Sequence, residues 1–92
     1  MTYGKRSVDK MGYRIVITAN QLDPMIKAAV RVKAYLAIHH NKHHSLPSRP
    51  VLNTRAKVID VCGPKPAGIV LRNMQECFDA ISRDCAVSIR IE

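Results

Sequence analysis

Acidic residues are missing from the middle of this chain. No Asp or Glu stands between Asp23 and Asp60, yet that span holds Lys27, Arg31, Lys33, Lys42, Arg49, Arg55 and Lys57. All four histidines, His39, His40, His43 and His44, lie in it as well. A solvated face ordinarily mixes both signs of charge. A one-sign stretch of this length calls for a polyanionic partner.

Aromatics are also scarce: there is no Trp, one Phe and three Tyr. A surface that reads single-stranded RNA by stacking bases on sheet aromatics is therefore disfavoured. The three cysteines, Cys62, Cys77 and Cys85, have no CxxC spacing and leave one over in any disulfide scheme. Reduced thiols in a reducing compartment are the expectation. Apolar runs fall far short of the ~20 residues of a membrane span, and the start, MTYGKRSVDKMG, has no apolar core of a secretory signal.

Motifs of catalysis are missing too. No Ser sits in a nucleophile-elbow setting and no Cys has a paired His context. The seven acids fall mostly on the exteriors or ends of the predicted helices, so no acid/base pair stands out. Gly63-Pro64-Lys65-Pro66-Ala67-Gly68 fails both phosphate-loop spacings, and its prolines remove backbone donors such a loop needs. It reads as a strand-to-helix turn. The expectation is a non-enzyme without cofactor or small-molecule substrate.

What is present is a small basic domain. A chain of 92 residues makes one domain. Its net charge of +8 is unevenly spread. Residues 1–57 carry eleven Lys/Arg against Asp9 and Asp23, whereas residues 58–92 carry four against five acids. Residues 1–12 have no hydrophobic periodicity and read as a basic arm. Residues 13–92 read as a single α/β domain with a basic loop over 39–57.

Alternation and β-branching predict strands at Tyr13–Ala19, Lys57–Cys62 and Ala86–Ile91. In the first, Tyr13, Ile15 and Ile17 share one face. A helix is predicted from Pro24 to about Ile38, with Asp23 as N-cap and Pro24 in the first turn. Met25, Ile26, Ala29, Val30, Val32, Leu36 and Ala37 form its broad apolar arc. A second helix, roughly Ala67–Ser82, has Val70, Met74, Cys77, Phe78 and Ile81 as its apolar side. Pro47 and Pro50 exclude a regular helix between these parts, and Pro50–Asn53 offers an additional short edge strand. The order is β-α-β-(β)-α-β: a two-layer α+β sandwich of ferredoxin-like pattern, with two helices on one face of a three- to four-stranded sheet.

The histidine cluster places His39/His43 and His40/His44 four residues apart, a spacing that can hold a metal on a helix. No carboxylate or cysteine is near in sequence, and Lys42 stands among the ligands, so no metal is assigned. Imidazoles that touch phosphates or stack on bases fit better. The candidate RNA-binding set is Lys5, Arg6, Lys10, Arg31, Lys42, His43, His44, Arg49, Arg55 and Lys57. Cations of this kind neutralise phosphates and release counterions.

Three stretches resemble the small-subunit ribosomal protein ten family. Arg14-Ile15-Val16-Ile17 with Met25-Ile26 is similar to that family's first strand and helix. Leu46-Pro47-Ser48-Arg49 resembles its Leu-Pro-Thr-Arg/Lys loop motif, and Thr54 to Val61 its basic lead into the next strand. Pro66-Ala67 through Gln75 and the closing AVSIRI complete the likeness over roughly residues 13–91. The family's long hairpin looks deleted here, and its Ser-Pro-His tip has no counterpart. The resemblance implies a ferredoxin-like fold that holds ribosomal RNA and packs against neighbouring ribosomal proteins. Arg49 and Thr54–Lys57 would take the RNA-facing positions. A divergent organellar version, in the mitochondrial matrix, fits the departures; the cytoplasm is the alternative. DPMIKAAV and VCGPKPAGIVL are more faintly similar to Alba-type nucleic-acid-binding proteins, which also implies binding without catalysis. A basic accessory subunit of a large complex is the remaining alternative.

Overall fold

The computed structural model describes residues 12–39, 44–45 and 55–92, with 44 and 45 described by backbone alone. Six elements follow in order: β1 (Tyr13–Thr18), α1 (Leu22–His39), β2 (His44–Ser45), β3 (Ala56–Val61), α2 (Gly68–Cys85) and β4 (Ser88–Ile91). The sheet order is β2-β3-β1-β4, and every neighbouring pair is antiparallel. This is the ferredoxin-like arrangement expected from the element order. The predicted arm and the additional strand at 50–53 lie outside the described residues. The edge position of a second strand is taken instead by His44 and Ser45, opposite Val61 and Asp60.

Alternation along the strands sorts the two faces. Tyr13, Ile15 and Ile17 of β1 and Ile59 and Val61 of β3 are buried under the helices. Met25, Ala28, Ala29, Val32 and Leu36 of α1 meet them, with Met74, Phe78 and Ile81 of α2. Phe78 stands edge-on to Tyr35 of α1, ring centroids 5.4 Å apart at 71°, a favoured geometry for aromatic pairs. Burial at 3% exposure pushes the Tyr13 phenol up to about 12, and the nearby Tyr35 adds to the effect. The folded state then holds that proton more firmly than the unfolded chain. The sign follows: stability is fully present below the ordinary phenol value near 10 and is lost as pH rises from 10 to 12. Tyr13→Phe removes this component, on the order of 2 kcal/mol. Comparing urea midpoints of the two proteins at pH 9 and pH 11.5 checks it, because lysine titration is common to both.

Four sequence expectations change. Ile26, Val30 and Ala37 are exposed, not core, and Ala28 takes a buried place instead. Val70 is 52% exposed in the first turn of α2, where the helix has barely reached the sheet. β4 begins at Ser88, because Ala86 takes the left-handed conformation (φ 58°) that ends α2, and the Val87 N–H closes on the Ser82 carbonyl at 3.1 Å. Helix α1 starts two residues early, so Asp23 lies within its first turn, where a negative charge suits the helix dipole.

The stretch after β3 is a turn, as expected. Gly63 has φ 110°, a conformation open in practice to glycine alone, and it swings the chain out of the strand. Gly68, at φ 64°, opens α2. None of the three cysteines forms a disulfide: Cys62 is exposed, Cys77 and Cys85 are half-buried.

Candidate nucleic-acid interface

The two ends of the basic stretch are tied to one strand. β2 pairs with the last residues of β3, and Arg55 leads directly into its first. Arg55 is held from both backbone and side chain. Its carbonyl accepts from the Ala19 N–H at 3.4 Å, and its Nη1 donates to the Asn20 carbonyl at 3.3 Å. It does so at φ 49°, a left-handed conformation that costs a non-glycine residue on the order of 1 kcal/mol. Such strain, kept by surrounding contacts, marks positions worth testing for function. The side chain is exposed, and a guanidinium has more donors than the one Asn20 uses.

The other candidates fare differently. Lys5, Arg6, Lys10, Lys42, His43 and Arg49 lie outside the described residues. His44 stands in β2, opposite Val61. Arg31 is exposed on α1, but its Nη1 donates to Asp84 Oδ2 of α2 at 3.0 Å. That hydrogen bond holds the guanidinium even more firmly charged than usual, and the Asp84 carboxylate offsets its charge locally. Lys57 is a correction. It is 9% exposed, because the period of two that buries Ile59 and Val61 carries Lys57 to the same face. Its aliphatic stem fits the rim of the core, and it leaves the phosphate-facing set.

Arg55 and Arg31 therefore differ in a measurable way. In RNA binding by the full chain, Arg55→Ala lowers the slope of log affinity against log salt by about one. Arg31→Ala lowers it less, and Asp84→Asn tightens binding by freeing Arg31. Equal effects of the two arginine variants would contradict the assignment.

The uncovered face of the sheet carries Arg14, Val16 and Thr18 of β1, Ala56, Val58 and Asp60 of β3, and Ser88 and Arg90 of β4. Among the described residues no aromatic lies on it: Tyr13 is in the core, and Tyr35 and Phe78 belong to the helices. Its charges are also paired, Arg14 across strands and Arg90 along its own. Arg14 Nε donates to Asp60 Oδ1 at 3.0 Å, directly opposite in register, and Arg90 Nη2 to Glu92 Oε2 at 2.7 Å. This face is neither a stacking platform nor a basic one. Sequence reasoning missed that pairing, although Arg14 and Asp60 occupy matched positions in the alternation of their strands.

His39, at the end of α1, is exposed, with its ring 4.7 Å from that of Tyr35. Among the described residues no three His, Cys, Asp or Glu side chains gather as metal ligands. The clefts among the described residues include two of note. One, about 440 Å³, lies between α2 and β4 and is lined by Gln75, Phe78, Asp79, Ile89, Arg90 and Ile91. The other, about 290 Å³, is lined by Gln21, Asp23, Pro24, Lys27, Asp84 and Cys85. Among the described residues no helix is long and apolar enough to cross a membrane. No known family model matches the chain, and no curated protein sequence matches it.

Proposed function

We propose that this protein is a structural RNA-binding subunit of a ribonucleoprotein, a small-subunit ribosomal protein that grips ribosomal RNA by its phosphates and does no chemistry. One observation carries the reading: the acid-free span between Asp23 and Asp60, whose basic stretch is tied at both ends to β3, by β2 on one side and by Arg55 on the other. A rigid sheet edge is a good base for a cationic segment, because cations held near their binding geometry lose less entropy on contact with phosphates. Arg55, clipped to the Ala19–Asn20 turn, is the described cation that supports the reading best. The aromatic-free, charge-paired open face argues for backbone and shape recognition of structured RNA over the reading of unpaired bases. The resemblance to the ribosomal family supports the same reading, and its organellar variant favours the mitochondrial matrix over the cytoplasm as the place of action.

Sucrose-gradient sedimentation of a cell extract tests the proposal. The protein is expected to migrate with a ribosomal small subunit, and ribonuclease is expected to release it to the top of the gradient. Migration that survives ribonuclease would favour the accessory-subunit alternative. Migration with genomic DNA would favour an Alba-like role.

A further inference from the structure

Five apolar residues of α1 stand one turn apart on its outside: Leu22, Ile26, Val30, Ala34 and Ile38. All are exposed, with Leu22 at 38%, Ile26 at 40%, Val30 at 60% and Ile38 at 74%. Spacing by four makes them a single continuous ridge roughly 24 Å long. The helix has already met its packing needs elsewhere, since Met25, Ala28, Ala29, Val32 and Leu36 fill the core. Scattered exposed aliphatics are ordinary, but an unbroken apolar row marks an interaction surface.

The charges beside the ridge choose its occupant. Lys27 and Arg31 border it on the side towards α2, and the half-buried Lys33 on the other. The sole acid of α1 is Asp23, in the first turn. A second copy of the chain would set these cations against their own kind on a protein of net charge +8. RNA finds no hydrogen-bond donor on an aliphatic ridge. A lipid surface is poorly served, because the ridge has none of the Trp or Phe anchors of interfacial helices. Ala34, between Val30 and Ile38, allows a close approach of another helix, and rows spaced by four are the ridges that interlock in the commonest helix–helix packing.

We propose that the outer ridge of α1 docks an amphipathic helix of a different protein, apolar at its centre and flanked by Asp and Glu. The inference does not depend on RNA binding. It names the surface by which a protein neighbour is held.

A photoreactive benzophenone amino acid placed at Val30, or at Ile38, in the full chain expressed in its own cells tests it. Arg72, exposed on α2, is the control position. Both test positions are expected to crosslink to the same helical, acid-rich segment of one protein. Val30→Asp is expected to reduce the Ile38 adduct by about tenfold, as loss of an interface anchor does. Because Val30 is largely solvent-exposed, thermal melting of that variant is expected to stay unchanged. The double variant Lys27→Glu, Lys33→Glu is expected to reduce the adduct through charge alone. Adducts to a second copy, to RNA or to phospholipid would overturn the proposal. So would a basic target segment, or yields no higher than at Arg72. Ribonuclease-sensitive sedimentation, measured in the same cells, reports on the RNA reading separately.

Discussion

Raising monovalent salt from about 50 to about 200 mM is expected to weaken RNA binding by the full chain at least about a thousandfold. The argument is a count of phosphates. Each cation that meets a phosphate displaces condensed counterions, and the lost affinity scales with their number. The acid-free span and the N-terminal arm contribute Lys5, Arg6, Lys10, Arg31, Lys42, Arg49 and Arg55, apart from the histidines. Six or more phosphate contacts from that set give a slope of about −5 in log affinity against log salt, and hence the thousandfold loss. Filter binding or fluorescence anisotropy with a structured ribosomal RNA fragment, at four salt concentrations, measures it directly. A slope near zero would sink the RNA reading, since an aromatic-poor surface has little else with which to hold RNA. Lys57 is left out of the count. Its substitution acts on the fold, so it should change the melting temperature while leaving the salt slope of the remaining folded protein nearly unchanged.

Phe78→Ala is the second large effect. Phe78 is 2% exposed, sits between the helices and the sheet, and packs edge-on against Tyr35. Removing a fully buried ring costs about 3–5 kcal/mol, the lost transfer energy plus the cavity left behind. A domain of this size has about 5–15 kcal/mol in total and belongs at the low end of that range, because small chains bury a smaller fraction of their surface. The variant is therefore expected to be largely unfolded near 37 °C, and urea unfolding at lower temperature measures the loss. Phe78→Leu keeps most of the volume and is expected to cost much less. A loss below about 1 kcal/mol for Phe78→Ala would mean that α1 and α2 do not close over the sheet as described.

The residues that made the fold legible were those with a single reading. Tyr13, Ile15 and Ile17 can share only one face of a strand, and Met74, Phe78 and Ile81 only one side of a helix, so the two-layer sandwich followed from period alone. Helix α1 was harder. Its apolar residues cover more than half its circumference, so no apolar/polar boundary shows which of them face the core. Met25, Ile26, Ala29 and Val30 look equivalent in sequence. They became distinct because α2 packs on the side of Arg31 and Tyr35 and the sheet lies beneath Met25 and Ala29, which leaves Ile26 and Val30 outside.

The candidate site divides in the same manner. Charge is a property of the chain: the absence of acid between Asp23 and Asp60, and the choice of polyanion as partner, come from composition alone. Which cation is available is a property of space. Asp84 is fifty-three residues from Arg31 in sequence and 3.0 Å from it in the fold, and no local pattern announces that pairing. Lys57 could have been placed by alternation, but its charge drew it into the basic set. Arg55 gained weight only when the turn at Ala19 and Asn20 was seen to hold it in a left-handed conformation. The sequence by itself determined the element order, the two-layer class and the sign and clustering of the charge, because periodicity and charge are local. Pairing, burial and the free ridge of α1 depend on where distant elements meet, and only the tertiary structure decided them.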